Sequence, residues 1–462
     1  MVRRERWVVL LTLGLLQAFA IAVGVYLIAH GTEQLPVPTA APEPTPTPIV
    51  TAGPVLVGAA DEGPLPAKGT LSALLGDALG DPAVGGKMAG AVLDTETGET
   101  LFDSSASTAL TPASTTKVVT GVAALASVGA DTRLATRVVR TGGTSIALIG
   151  GGDPTLAGPK ADPKKRIYPR PATLATLAAR TAKALRASGT KSVSLRYDAS
   201  LFDGPKTAPG WKPTYVPEGS AAPVTALAID EGRVSPEMDA RSADPPLATA
   251  TAFAALLEKA GIKVNDNIRP GTAKPGSPEL ARVESAPVYQ LVERMLTLSD
   301  NDLAEALARQ VAISERLPHT FAGQAQAVHQ VLARLGADQG VEVHDGSGLS
   351  TSNRITPAAL AKLIALAASP KHPELRTLLS GLPVAGYTGT LHDRYDQSDS
   401  RAGAGLVRAK TGTLNGVNTL TGLVYTGDGR LLSFAFMAND VANPARTIEA
   451  LDKLATIVSR AA

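Results

Sequence analysis

The spacing of apolar residues changes character several times along this chain. Residues 7–29 show no period at all: 23 positions without a charge, most of them apolar, enough to carry a helix across about 30 Å of hydrocarbon. Much further on, residues 89–94 and 99–103 read as two strands around the turn Thr95-Glu-Thr-Gly98. A helical period then begins near Thr111-Pro112, with Thr as N-cap and Pro at the first helical position. Val118, Val122 and Leu125 form its apolar face, and Gly129 ends it. From about 140 to 284 the texture is richer in Pro and Gly, with a strand-like run at 192–197 and helical runs at 171–187 and 247–260. Helical spacing returns at 287–298, 302–311 and 357–368. A strand follows at 405–409, then a hairpin with arms 417–425 and 430–437 joined by Thr426-Gly-Asp-Gly429. A last helix opens at Asn443-Pro444, with Ile448, Leu451, Leu454 and Ile457 on one face. The pattern predicts an α+β chain: an antiparallel sheet flanked by helices from both ends of the sequence, interrupted by an insertion. No internal repeat is visible.

Charge orients the first segment. Arg3, Arg4 and Arg6 precede it, and no Lys or Arg follows until Lys68. The positive-inside rule therefore predicts a cytoplasmic tail (1–6), a membrane helix (7–29) and everything after it outside the cytoplasm. A cleaved signal peptide, with Ala18-Phe-Ala20 near the cut, is the other reading, and it also exports the chain. Six prolines between Pro36 and Pro48 make 30–68 a linker that favours extended polyproline over a core.

Composition narrows the chemistry. With 44 basic and 42 acidic side chains, a net charge of +2 and 4% aromatics, neither a basic groove nor a stacking platform for nucleic acid is indicated. No cysteine is present, which excludes disulfides, thiolate metal sites and a cysteine nucleophile. The six His residues have no neighbours that suggest a metal site, so no cofactor is expected. His344-Asp-Gly-Ser347 gathers triad letters, but a triad is close in space rather than in sequence; its glycines read as a structural turn near the site.

Three short motifs occur in order: Ser114-Thr-Thr-Lys117, Ser299-Asp-Asn301 and Lys410-Thr-Gly412. Each has a plain alternative. Ser-x-x-Lys also occurs at Ser188-Gly-Thr-Lys191, where Gly189 after a helix marks a turn. The first copy sits at a helix start, where residues three apart are neighbours and the positive end of the helix dipole lowers a lysine's pKa. Lys117 could there activate Ser114, which otherwise is a weak nucleophile. Ser299-Asp-Asn301 lies between two helices, where Asp300 or Asn301 could simply be a cap. Lys410-Thr-Gly412 is expected to end an edge strand, with Lys410 facing the open edge. Gly412 would admit an extended peptide and Thr411 a carboxylate; a charged edge that discourages aggregation is the alternative.

The ordered trio is characteristic of class A β-lactamases and penicillin-binding proteins. Together with Gly150-Gly-Gly-Asp-Pro-Thr-Leu156, Tyr197-Asp-Ala-Ser-Leu-Phe202, Pro223-Val-Thr-Ala-Leu227, Asp345-Gly-Ser-Gly-Leu-Ser350 and Pro383-Val-Ala-Gly386, the chain resembles class C low-molecular-mass penicillin-binding proteins, the D-Ala-D-Ala carboxypeptidase/endopeptidase family, over roughly residues 70–462. The resemblance implies a β-lactamase/transpeptidase-like domain (69–140 and 285–462) carrying an insertion (141–284). It implies Ser114 as nucleophile, Lys117 as base, Ser299 and Lys410 as a proton relay, and Asn301 as an orienting amide. Ser114 and Thr413 would supply oxyanion N–H groups, and Thr411 and Gly412 would line the substrate strand. Asp198 would lie near the substrate's side chain or be an ordinary strand-end Asp. The expected partners are peptidoglycan peptides, β-lactams as covalent inhibitors and, through 7–29, a bacterial membrane. A β-lactamase-like hydrolase and a non-catalytic β-lactam or peptidoglycan sensor share the same motifs.

Overall fold

The structure is a computed structural model that describes residues 2–30, 63–80, 86–162, 164–265 and 267–461. It divides into Met1–Val57 and Gly58–Ala462. In the first unit α1 runs from Val2 to His30, with Leu13, Leu15, Leu16, Phe19 and Ile21 exposed. Among the described residues no helix is long and apolar enough to cross a membrane. The proline-rich run at 31–62 lies outside the described residues.

The second unit opens with α2 (Lys68–Leu79), then β1 (Lys87–Asp94) and β2 (Thr100–Ser104). A 3-10 turn at Ala113–Thr115 leads into α3 (Thr116–Ser127), β3 (Arg133–Gly142) and β4 (Ser145–Ile149). Next come α4 (Leu174–Ala187), β5 (Ser192–Asp198), α5 (Pro245–Lys259), β6 (Lys263–Val264), β7 (Arg269–Pro270) and β8 (Glu279–Pro287). Helices α6 (Val288–Leu298), α7 (Asn301–Ser314) and α8 (Phe321–Arg334) precede the short pair β9 (Val341–Glu342) and β10 (Arg354–Ile355). The chain ends through α9 (Pro357–Ala368), α10 (Thr377–Gly381), β11 (Val407–Leu414), β12 (Val417–Tyr425), β13 (Leu431–Asn439) and α11 (Pro444–Ser459).

Two sheets organise these elements. One is antiparallel in the order β11-β12-β13-β1-β2 and joins the two ends of the chain: Lys87 pairs with Asn439 and Asp94 with Leu432. Its central strands are buried on both faces, and the alternation of side chains decides which core each residue joins. Ala435 and Met437 pack with Val118, Val122 and Leu360 on the side of α3 and α9, while Phe434 and Phe436 pack with Leu71, Leu451 and Leu454 on the side of α2 and α11. Each such large side chain contributes about 1.5–3 kcal/mol on burial.

The other sheet has the order β6-β5-β4-β3-β8, with β7 beside β5, and is covered by α4 and α5. The chain enters it at Arg133 and returns at Pro287, two residues paired with each other on neighbouring strands. The excursion therefore closes on itself and hands α6 back to the first core.

The predicted strands around Thr95–Gly98, the hairpin closed at Thr426–Gly429 and the helix capped by Asn443 are all present. Three expectations change. The helix after Thr111-Pro112 starts later, because the Thr111 N–H is taken by the Asn439 side chain at 2.9 Å and Ala113 turns left-handed (φ 48°). Lys410-Thr-Gly412 does not end its strand: β11 continues to Leu414, held by pairing with β12. Helices α2 and α8 were not anticipated.

Candidate active site

Ser114 lies in the 3-10 turn ahead of α3, and Lys117 in the first turn of that helix. The helix is buried on every side from Thr116 to Leu125, so Lys117 is carried into the interior with no exposed surface. Its Nζ lies 3.0 Å from Ser114 Oγ, 2.7 Å from Asn301 Oδ1 and 2.7 Å from the Ser347 carbonyl. Two of these partners can only accept. A neutral amine has two hydrogens and one lone pair, so two hydrogens on Asn301 and Ser347 leave the lone pair facing the Ser114 hydroxyl. That is the geometry a proton acceptor needs.

The electrostatics point the same way, by a different cause from the helix dipole inferred above. Burial is the leading influence and lowers Lys117 to about 8 from 10.5, against the pull of Asp345, Glu305, Asp300 and Asp302, which favour the ammonium.

Ser299 occupies the left-handed position that ends α6 (φ 57°) and Asp300 caps α7, accepting the Leu303 N–H at 3.0 Å. The sharp turn between the two helices presents Ser299 and Asn301 together. Asn301 donates through Nδ2 to the Ser220 carbonyl at 2.8 Å, which fixes its Oδ1 towards Lys117. Left-handed non-glycine residues cost about 1–3 kcal/mol and gather at functional sites; Ala113 and Ser299 are both such residues.

β11 forms the third wall. Lys410 donates to Ser299 Oγ at 3.0 Å and to the Thr411 carbonyl at 2.8 Å. The strand is at the sheet edge, as expected, but Lys410 is fully buried rather than facing the open edge. Burial, then Lys117 and Arg394, pushes it well below the usual lysine range. Gly412 is required by close approach: a Cβ there would fall 2.1 Å from Thr419 Oγ1, 2.7 Å from the Pro112 carbonyl and 3.1 Å from the Ser114 nitrogen. The strand backbone thus runs directly beside the Ser114 turn. Thr411 shares a hydrogen bond with Thr390 at 2.8 Å, and Thr413 is exposed next to Gly412.

Ser114, Lys117 and Asn301 therefore form one hydrogen-bonded group and Ser299 with Lys410 a second; the α6–α7 turn carries a member of each, and Thr411, Gly412 and Thr413 follow Lys410 along β11. Asp198 is joined to neither. Its Oδ1 accepts from the N–H and hydroxyl of Ser200, and its Oδ2 accepts the Ala273 N–H at 2.7 Å. Two contributors have no letter in the trio. The Ser347 carbonyl belongs to the 345–350 turn, read from its glycines as structural, and Ser220 comes from the loop before α5. Beside the cluster, Glu231, Asp300 and Asp302 bring carboxylates within 4.8 Å of one another. Arginines neutralise this group: Arg233 and Arg294 hold Glu231, and Arg241 lies 3.0 Å from Asp302. Burial opposes ionisation of Glu231, but the two arginines outweigh it and keep the carboxyl low. An ion-pair network, not a cation site, occupies this corner.

The sequence pattern of the D-Ala-D-Ala carboxypeptidase 3 (S13) family matches residues 71–244 and 237–458. The chain belongs to this family. It is 37% identical to a carboxypeptidase of Mycobacterium tuberculosis over 426 residues, covering 90% of this chain and 88% of the relative. With carboxypeptidase DacB of Mycolicibacterium smegmatis it shares 36% over 453 residues, 96% and 95% of the two chains. Penicillin binding protein 4 (dacB) of Haemophilus influenzae has the same fold, with a TM-score of 0.69 at 21% identity over 84% of this chain and 98% of that one. As an S13 family member the protein is a serine-type D-Ala-D-Ala carboxypeptidase, a hydrolase of the cell wall whose catalytic part acts outside the cytoplasm.

Proposed function

We propose that Ser114 carries the acyl group. The supporting observation is the buried Lys117 amine, 3.0 Å from Ser114 Oγ with its other two hydrogen-bonding positions filled by carbonyl oxygens. Ser114 attacks the carbonyl between the two D-alanines of a peptidoglycan stem peptide while Lys117 takes its proton. The N–H groups of Ser114 and Thr413 receive the oxyanion; the close approach of Gly412 to the Ser114 nitrogen supports that pairing. Preorganised donors of this kind contribute a few kcal/mol, roughly 2.7–4 each. Ser299 and Lys410, hydrogen-bonded to each other, relay the proton taken from Ser114 to the leaving amine as the C–N bond breaks. Thr411 receives the D-alanine carboxylate, and water then releases the acyl group and restores the Ser114 hydroxyl. A D-alanyl cross-link presents the same bond, so endopeptidase action needs no further group. β-Lactams acylate the same serine; a neighbour of this fold from Haemophilus influenzae carries such a compound. Asp198 has no part in this reading.

The uncharged run at 7–29 behind three arginines supports an anchor with the remainder outside the membrane. We assign 69–140 with 285–462 to the peptidase domain and 141–284 to an insertion; the pairing of Arg133 with Pro287 supports an insertion but extends it to the whole of β3 and β8, from 133 to 287.

The test pairs two assays on the purified chain. Fluorescent penicillin should label it stably, and an acyl-D-Ala-D-Ala peptide should release D-alanine. Rapid loss of label would indicate a β-lactamase instead, and stable label without D-alanine release a sensor.

A further inference from the structure

The Ser347 carbonyl that receives a Lys117 hydrogen sits in a loop clamped between α7 and the Ser114 turn. A Cβ on Gly346 would fall 2.6 Å from the Ala304 carbonyl, and one on Gly348 1.9 Å from the Ala113 carbonyl. Asp345 ties the outer side, accepting from Trp211 Nε1 (2.8 Å), Asn353 Nδ2 (2.7 Å) and the N–H groups of Gly348 (3.0 Å) and Ser350 (2.7 Å).

The inner side rests on Glu305, a fully buried side chain of α7. Its carboxylate accepts the Ser347 N–H at 2.8 Å and the Gly346 N–H at 3.1 and 3.0 Å. Gln324 of α8 donates to it at 3.2 Å, and that amide is itself oriented by Arg309, which donates to Gln324 Oε1 at 2.5 Å while stacking 4.0 Å over Phe321. A buried carboxylate is costly unless donors surround it. Every named partner of Glu305 is a donor, so the geometry fits the ionised form.

We propose that Glu305 is a positioning residue for acylation: through the Gly346 and Ser347 N–H groups it aims the Ser347 carbonyl at Lys117, and so turns the amine lone pair towards Ser114. The proposal rests on the assignment of Ser114 and Lys117 above. The charged groups facing Lys117 are Asp345, Glu305, Asp300 and Asp302, with Lys410 across the site. Those facing Glu305 are Lys117 and Asp345 across the loop and Arg309 on its own helix; burial and then Asp345 push Glu305 up to about 7. A negative charge at 305 stabilises the Lys117 ammonium, so its removal favours the neutral base at lower pH.

The experiment measures the second-order rate of acylation by penicillin against pH, with melting temperature, for the full chain and two variants. Glu305→Gln removes the charge but sets its amide against that of Gln324. Glu305→Gln/Gln324→Glu restores that hydrogen bond and pairs Glu directly with Arg309, moving the charge away from the loop. Glu305→Gln should acylate roughly tenfold slower at its plateau, a modest part of what a 1 Å misplacement can cost, and its acid limb should move to lower pH. The double variant should regain melting temperature while its acid limb stays low. Wild-type rate and limb in Glu305→Gln would overturn the proposal. So would a limb that never moves while rate and melting temperature fall and recover together, which is the behaviour of a merely structural anchor. Penicillin labelling that survives Ser114→Ala would instead remove the assignment on which the proposal rests.

Discussion

At residues 114–117 the Ser-x-x-Lys pattern spans a 3-10 turn and the start of a helix buried on all sides; at 188–191 it spans the end of α4 and the entry to β5. In the first place Lys117 is fully buried and bonded to Ser114. In the second, Ser188 and Lys191 are both exposed, and Ser188 Oγ is engaged with the Leu185 carbonyl, Arg140 and Thr190. Gly189 between them is left-handed (φ 69°), so the chain turns away before the lysine can return to the serine. Four letters bring the serine and the lysine into hydrogen-bond contact only where a helix start holds them together and other elements close over them: α7 brings Asn301, the 345–350 turn brings Ser347, and β11 brings Lys410.

The sharpest way to break this comparison is to remove each hydroxyl. Ser114→Ala should abolish covalent penicillin labelling and D-alanine release, whereas Ser188→Ala should leave both at the wild-type level. In-gel fluorescence and a D-alanine assay on the two purified variants decide it. Label retained in Ser114→Ala, or lost in Ser188→Ala, would reverse the roles of the two regions.

Much of this contrast is legible in the letters, and the part that is not has a common physical origin. Turn chemistry is local, so Gly189 marks the second copy as a turn and Thr426-Gly-Asp-Gly429 marks the hairpin without tertiary information. The start of α3 is not local. Thr111-Pro112 has the chemistry of a cap, but the Thr111 N–H bonds Asn439, 328 residues away, and the helix begins later. Buried charge is likewise invisible to pattern. Lys410 reads as an edge charge because strand lysines usually face water, and nothing in the sequence singles out Glu305. Each is buried because the structure gathers partners from distant segments: Ser299 for Lys410, Gly346, Ser347 and Gln324 for Glu305. Helix α8 went unread although Thr320 caps it, accepting the Gly323 N–H at 3.1 Å.

Titration gives a second, smaller separation. With Lys117 lowered to about 8, its ammonium predominates below that pH and the free amine above it. If the amine takes the Ser114 proton, acylation should rise about tenfold per pH unit on the acid side and level off above about 8. The sign for stability follows from the same shift. A lysine with a native pKa below its unfolded value binds fewer protons when folded, so its contribution to stability increases as pH rises from about 8 towards 10.5. Stopped-flow acylation by a chromogenic β-lactam across this range tests the kinetic claim; a flat profile through pH 8 would mean that Lys117 is not the group that titrates.

The smallest expected effect comes from Gly189→Ala in the second region. Gly189 is exposed, left-handed, and has nothing within 4 Å of where a Cβ would stand. The only cost is therefore conformational, roughly 1–2 kcal/mol for placing a Cβ in the left-handed region, partly offset because alanine also stiffens the unfolded chain. The mutated turn joins α4 to β5, elements of the second sheet's core, and touches no member of the Ser114 cluster. Melting temperature should fall by no more than a few degrees, since the shift per kcal/mol shrinks as the folded unit grows, while the acylation rate of the folded protein stays unchanged. The same substitution at Gly412 would meet Thr419, Pro112 and the Ser114 backbone, which is why glycine at 189 reports on the turn and glycine at 412 on the site. A Gly189→Ala protein that melts normally but acylates slowly would show that the second copy is coupled to the reaction after all, and would break the separation of the two regions.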